Sequence, residues 1–147
     1  MHVENWMTRE VHSVKPLDSI QHARDLMEQH RINQLPVVVN GRLVGIVTDR
    51  NLRDAFPSVF DAPPLGKSHK APKGTDPKLI RVEMVMTPNV LTLGPKDDVI
   101  EAARVMRRER IGAIPIIEGH RVVGILARSD VLDAFVALAG AGTTKSL

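Results

Sequence analysis

The sequence contains no cysteine, which excludes disulfides, thiolate nucleophiles and cysteine-ligated zinc. It has no tyrosine, one tryptophan and three phenylalanines, so its core must be built from Val, Ile, Leu, Met and Ala. No apolar run approaches the roughly 20 residues that cross a bilayer as a helix. The opening MHVENW lacks a basic stretch followed by an apolar one. No secretory signal is predicted, and a cytoplasmic location is the expectation. The catalytic fingerprints GxxxxGK[ST], GxSxG, HExxH and GxGxxG do not occur. The six histidines (2, 12, 22, 30, 69 and 120) have no tight ligand spacing. His22 and His30 share a face of one predicted helix but lack a third ligand. The expectation is therefore a protein with no catalytic residues, no metal site and no required cofactor.

Charge of one sign is concentrated in one place. The chain has 20 Lys and Arg against 17 Asp and Glu, a net +3. Lys67, Lys70, Lys73, Lys78 and Arg81 face only Asp61 and Asp76 in the same 25 residues. That segment carries the whole excess, and the remainder is neutral. A short charge run of this kind reads as a solvated loop. Nucleic-acid binding needs a long salt-sensitive interface, so it is not expected.

What is present is a duplication. Shifting the sequence by 79 residues aligns Met7–Phe56 with Met86–Phe135 without a gap, with 17 identities in 50 positions. Met7-Thr8 falls on Met86-Thr87, Pro36 on Pro115, and Gly45-Ile46 on Gly124-Ile125. A repeat at fixed period must be recognised before any motif is read. The predicted organisation is repeat 1 over 1–56, a Pro/Lys-rich linker over 57–82, and repeat 2 over 83–147. The linker holds five of the ten prolines, which oppose helix and internal strand alike.

Periodicity changes in the same order within each copy. A short extended piece comes first, Val11–Val14 or Val90–Leu93. Pro16 and Asp18, or Pro95 and Asp97, follow as turn and acidic helix cap. Ile20, Ala23, Leu26 and Met27 have helical spacing, as do Val99, Ala102, Ala103 and Met106. Two β-rich runs come next, separated by Asn40-Gly41 in the first copy, a strong hairpin signal. A closing helix is predicted over about 49–56 and 128–139. A unit this small cannot cover both faces of its sheet. The predicted fold class is α+β, with two β-α-β-β-α repeats packed sheet to sheet as an intramolecular pseudo-dimer with two equivalent clefts.

The strings HRINQLPVVVNGRLVGIVTDRNL and ERIGAIPIIEGHRVVGILARSDVL resemble the signature half of CBS domains. With the Met-Thr near each start, the chain is similar to a tandem CBS pair (a Bateman module), and most similar to the pair in acetoin-utilisation-type proteins. The resemblance implies that each cleft binds the adenosine part of AMP, ADP, ATP or a related ligand. It implies a Ser/Thr-x-x-Asp motif after the second strand, with its carboxylate on the ribose hydroxyls. A charged acceptor facing two hydroxyls makes the stronger kind of hydrogen bond.

Neither copy carries the full motif. Copy one has Thr48-Asp49-Arg50-Asn51, with Asn in place of the ribose Asp. Copy two has Ala127-Arg128-Ser129-Asp130, with Ala in place of the hydroxyl. The resemblance implies that Asp130, with Ser129, Arg128 and Ile125, works with Arg9, Ile32, Asn33, Gln34 and Pro36. Thr48 and Asn51 would work with Pro88, Ile111, Gly112, Ala113 and Pro115. Beside this stands a plainer reading, in which Thr48, Asn51, Ser129 and Asp130 only cap helices. Gly45 and Gly124 read as packing or bulge glycines, and Met27, Met84, Met86 and Met106 as core or interface filler. The expected function is a regulatory module that senses an adenine nucleotide, or another adenosyl ligand such as S-adenosylmethionine or an adenine dinucleotide. It is expected to form a homodimer and to act on a regulated protein that the sequence does not identify. The alternative is a non-catalytic structural or interaction module with degenerate clefts, for which the split motifs speak.

Overall fold

The computed structural model describes residues 1–55 and 76–141. The chain forms two compact units, one of Met1–Val11 with Leu91–Leu147 and the other of His12–Val90. Both have the α+β architecture expected of the repeats.

In the second of these units, Ile20–His30 form helix α1. The Ser19 side chain accepts from the His22 N–H and starts the helix, and Arg31 at φ 55° ends it in the left-handed region. Ile20, Ala23 and Met27 are its buried face. Strands β1 (Gln34–Val39) and β2 (Arg42–Thr48) pair antiparallel. Asn40 and Gly41 both have positive φ, 52° and 82°, the pattern of a type I′ turn, whose twist matches that of the strands. Val37 pairs with Gly45 and Val38 with Leu43, leaving Val44 as a bulge. Helix α2 (Asp49–Ala55) follows directly. The core gathers Val14, Ile20, Ala23, Met27, Leu35, Val37, Val47, Leu52 and Val82.

The other unit repeats this plan with helix α3 (Val99–Glu109), strands β3 (Ala113–Glu118) and β4 (Arg121–Ala127), and helix α4 (Arg128–Ala141). Its hairpin turn needs positive φ only at Gly119, 65°, and the same bulge recurs between Ile116 and Ile117. Val3, Met7, Val99, Ala102, Val105, Met106, Ile114, Ile116, Leu126 and Ala134 form its core.

Three local features differ from the sequence reading. The opening strand of each unit is a single parallel bridge, Val14 to Val37 and Leu93 to Ile116. Pro16 and Pro95 stand two residues further on and interrupt pairing. Asp18 and Asp97 are not the helix caps. Their carboxylates accept from the Lys15 and Gly94 N–H groups one turn earlier, and the next residues, Ser19 and Asp98, cap the helices. An Asp in such a turn satisfies its own local backbone first. Met84 is 69% exposed and is not core filler, whereas Met27 and Met106 are buried.

Most of the expected linker, and Phe56 at the end of the first expected closing helix, lie outside the described residues. Its last residues are structured. Asp76 caps a 3-10 turn at Pro77–Leu79, Ile80 packs on the core, and Val82 is fully buried.

An arm completes each unit, and the two arms follow one plan. The Val3 N–H donates to the Asp97 carbonyl, and Glu4 to Pro95. Val82 donates to Asp18 and Glu83 to Pro16 in the other unit. Thr8 bridges Ile125, and Thr87 bridges Ile46. Each arm crosses its strand over a glycine. A Cβ at Gly124 would lie 2.5 Å from the Met7 Sδ, and one at Gly45 would lie 2.7 Å from the Met86 Sδ. These are packing glycines, required by close approach of a second chain segment.

Candidate functional site

In the unit containing β4 and α4, the strand runs straight into the helix at Ala127-Arg128. Ala127 stands where a helix cap would supply an oxygen and has none. Asp130 turns back instead, its Oδ2 accepting from the Ala127 N–H at 2.8 Å. The Thr8 side chain, carried in by the arm, lies close enough to this carboxylate to help hold its pKa down. Asp130 is half-buried. Burial pushes its carboxyl above the usual carboxylate range, and the charge of Asp133 adds to the rise, while the Ala127 N–H and Thr8 work against it. Among the described residues no cation forms an ion pair with it. A desolvated acceptor without a cation is suited to neutral donors such as hydroxyls.

The neighbours of Asp130 within this unit include several expected site residues. Ala113 pairs with Ala127 and Pro115 with Ile125 across the hairpin. The Arg128 N–H donates to the Gly112 carbonyl at 3.1 Å, and its guanidinium lies over Gly112, 3.4 Å from where a Cβ would stand. Ile125 exchanges both backbone hydrogen bonds with Thr8, and Arg9 follows on the arm. Ser129 and Arg128 are exposed, and Ile111 is half-buried beside the core. Arg9 therefore joins Asp130 in one unit, whereas Ile32, Asn33, Gln34 and Pro36 belong to the other.

The equivalent place in the second unit is chemically different. Thr48 Oγ1 accepts from the Asn51 N–H at 3.0 Å, and Asn51 Oδ1 accepts from the Thr48 N–H at 2.9 Å. This reciprocal pair is a capping box, and it uses the hydroxyl and the amide oxygen on the backbone. The Asp49 N–H donates to the Asn33 carbonyl, Gln34 pairs with Thr48 and Pro36 with Ile46. Ile32 packs on the core. Pro88 follows the arm residue Thr87 and is exposed. Thr48, Asn51 and Pro88 thus share a unit, and Ile111, Gly112 and Ala113 do not belong to it.

Two features of the site were not read from the sequence. Thr8 was visible only as a repeat marker, although its recurrence at Thr87 was a signal that the position matters. No acidic residue stood in an evidently apolar stretch, and the partial burial of Asp130 is seen only in the folded chain. The stacking of His12 on His30, with ring centroids 3.6 Å apart, was also not foreseen. No described cluster of three or more His, Cys, Asp or Glu is placed to hold a metal ion, and no described helix is long and apolar enough to cross a membrane.

The two arms, two hairpins and two helix starts are the repeats that a family model recognises. The model of the CBS domain matches residues 3–58 and 82–137. The chain belongs to the CBS domain family. Among curated proteins this CBS pair is 30% identical over 129 residues to the CBS domain-containing protein YhcV of Bacillus subtilis, covering 88% of the chain and 81% of that protein. It is 33% identical over 129 residues to an inosine-5'-monophosphate dehydrogenase of Korarchaeum cryptofilum, of which it spans only 23%. The Vibrio cholerae protein described as acetoin utilization protein AcuB superposes with a TM-score of 0.77 at 26% identity, covering 95% and 93% of the two chains. CBSX2, solved in complex with AMP, gives 0.76 at 26% identity, covering 94% and 98%. The CBS pair of the protein MJ0100, solved with 5'-methylthioadenosine and S-adenosyl-L-methionine, gives 0.74 at 26% identity, covering 94% and 98%.

Proposed function

We propose that this CBS pair is a non-catalytic regulatory module that binds an adenosine-containing ligand and passes the occupancy of its site to a regulated protein in the cytoplasm. The observation that carries this reading is the Asp130 carboxylate, half-buried, uncompensated by any described cation and raised in pKa by burial. Two ribose hydroxyls supply the donors that such a group lacks. The adenosyl ligands of CBSX2 and MJ0100 support the same ligand class here. Ligand binding biases the conformational equilibrium only through different affinity for the two states.

A thermal-shift screen of the full chain against AMP, ADP, ATP, S-adenosylmethionine and NAD tests this. A ligand at about 100 times its dissociation constant should stabilise the fold by roughly 2.7 kcal/mol. No shift with any of the five, at millimolar concentration, sinks the reading.

The capping box at Thr48 and Asn51 favours a second reading for the other unit. Its motif residues are occupied by the backbone, and that unit serves as structural support or as an interaction surface.

The homodimer belongs to the same proposal. On α4, Ala134 is buried, yet Leu132, Phe135, Val136 and Leu138 are 62%, 63%, 66% and 54% exposed. Apolar residues around more than one face of a helix call for a second covering surface. Light scattering at tens of micromolar should give twice the chain mass, and Phe135→Asp should halve it. A monomeric mass for the unaltered chain contradicts this.

A further inference from the structure

Helices α1 and α3 have the same length, 11 residues, and the same buried face. Ile20, Ala23 and Met27 of α1 fall on Val99, Ala102 and Met106 of α3 when the sequence is shifted by 79, and all of them are buried. The outer faces differ. His22, Asp25, Glu28 and Gln29 of α1 correspond to Glu101, Arg104, Arg107 and Arg108 of α3, and every one of these is exposed. Residues three and four apart share a helix face, so each set forms one stripe. The two carboxylates of the α1 stripe stand where α3 has guanidiniums, and its histidine stands where α3 has a glutamate.

These charges are only partly met within each helix. Asp25 accepts from the neutral Gln21 amide at 2.9 Å, and forms no ion pair with a described cation. Arg104 and Arg107 form none with a described carboxylate. Glu28 and Arg24 stand 3.6 Å apart, beyond hydrogen-bond length, and Arg108 pairs with its neighbour Glu109 at 3.0 Å. The α3 stripe has a local reason, since Glu101 in the first turn and Arg107 and Arg108 in the last complement the helix dipole. The α1 stripe runs the other way, with His22 near the start and Glu28 two residues from the end. The dipole opposes that order, so local helix stability does not account for it.

We propose that two copies of this chain pair head to tail, the outer face of α1 in each lying against the outer face of α3 in the other. This rests on the homodimer reading above and specifies which surfaces meet. In a twofold dimer, a contact between one residue and a different residue of the partner occurs twice, so both stripes of each copy are used. Like against like would set the arginines of α3 against their own copies, and the carboxylates of α1 against theirs. Facing like charges oppose that arrangement, and complementary ones favour the mixed pairing. Asp25 and Arg104 each stand at the middle of their helix. Helices that cross at their midpoints bring Asp25 to the partner's Arg104 at any crossing angle. A guanidinium then meets a carboxylate with two parallel hydrogen bonds. The exposed apolar side chains of α4 supply area to the dimer, and the two stripes set its orientation.

The dimer dissociation constant of the full chain, measured by analytical ultracentrifugation, tests the pairing. Arg104→Asp should weaken the dimer by roughly tenfold, because two ion pairs become two repulsions. Adding Asp25→Arg to the same chain should restore it, and rescue by a second change excludes misfolding as the cause. The absence of cysteine allows an independent readout. Asp25→Cys chains mixed with Arg104→Cys chains should give covalent dimers with a short bismaleimide, while either variant alone should give none. The mixed pair also keeps its second contact between Asp25 and Arg104 intact. If a single-cysteine variant links to itself, like helices face each other and the proposal is overturned. If Arg104→Asp leaves the dimer unchanged, or the mixture gives no covalent product although the chain is dimeric, α1 and α3 do not meet and the proposal fails. If the unaltered chain is monomeric, the dimer reading fails and takes the proposal with it.

Discussion

Replacing Gly124 with valine is expected to lower the melting temperature by roughly 10 °C, the shift that about 3–5 kcal/mol produces in a chain of this size. The arm lies directly on this glycine. A first side-chain carbon would stand 2.5 Å from the Met7 Sδ, 2.9 Å from its Cγ and 3.1 Å from the Thr8 carbonyl oxygen. The methionine tip can shift, but the backbone oxygen cannot without breaking the Thr8–Ile125 bridge, whose two bonds measure 2.8 and 2.9 Å. Displacing the arm exposes Met7, 8% exposed in the fold, at a cost of about 2–5 kcal/mol for a buried Met. The two lost hydrogen bonds add about 0.5–1.5 kcal/mol each. Gly140→Ala serves as control, because a Cβ there meets nothing within 4 Å. Melting of Gly124→Val at the wild-type temperature would mean that the arm does not sit on this strand.

Replacing Asp130 with alanine is expected to weaken an adenosyl ligand by a hundredfold or more, while Asn51→Ala changes affinity only a few-fold. Hydrogen bonds to a charged acceptor contribute roughly 1.5–3 kcal/mol each, and two hydroxyls use the same carboxylate. Asn51 has its amide oxygen committed to the Thr48 N–H, so it has little to offer a ligand. The reverse order in calorimetry refutes the choice of site. Stability should respond differently from binding. The folded Asp130 pKa is raised above its ordinary value of 3.8, chiefly by burial. Between those two values the fold keeps a proton that the unfolded chain has released, so stability falls as pH rises through that window. At neutral pH the ionised form is the less comfortable one. Asp130→Asn, which keeps an acceptor for the Ala127 N–H, should therefore melt no lower than wild type while losing ligand. Ligand affinity should also fall as pH drops into the same window, since hydroxyl donors need the ionised carboxylate.

Much of the fold was legible because its signals are local. The Asn40-Gly41 turn, the apolar spacing of Ile20, Ala23 and Met27, and the run into each closing helix depend on neighbours within a few residues. The cap positions were misread by one residue because Asp18 and Ser19 are both good caps, and only geometry shows which backbone N–H groups each one reaches. The proposed site was legible only as a set of residue types. Its electrostatics were not, since the environment of Asp130 depends on Thr8, which is distant in sequence.

The sequence by itself determined the duplication, the order of elements in each copy, the two hairpins and the departure of both copies, at Asn51 and at Ala127, from a Ser/Thr-x-x-Asp pattern. Only the tertiary structure decided which arm completes which body. Met7-Thr8 and Met86-Thr87 are identical, and so are Gly45-Ile46 and Gly124-Ile125. Either arm therefore fits either strand, and no local preference separates the pairings. The fold places the arm beginning at Met1 on the strand near Gly124 and the arm beginning at Ile80 on the strand near Gly45. The residues that open each sequence repeat thus complete the unit formed by the other. Each unit buries its core only with that arm in place, Val3 and Met7 in one, Val82 and Met86 in the other. The choice between two chemically equivalent pairings is made by burial and chain connectivity together, which no window of the sequence contains.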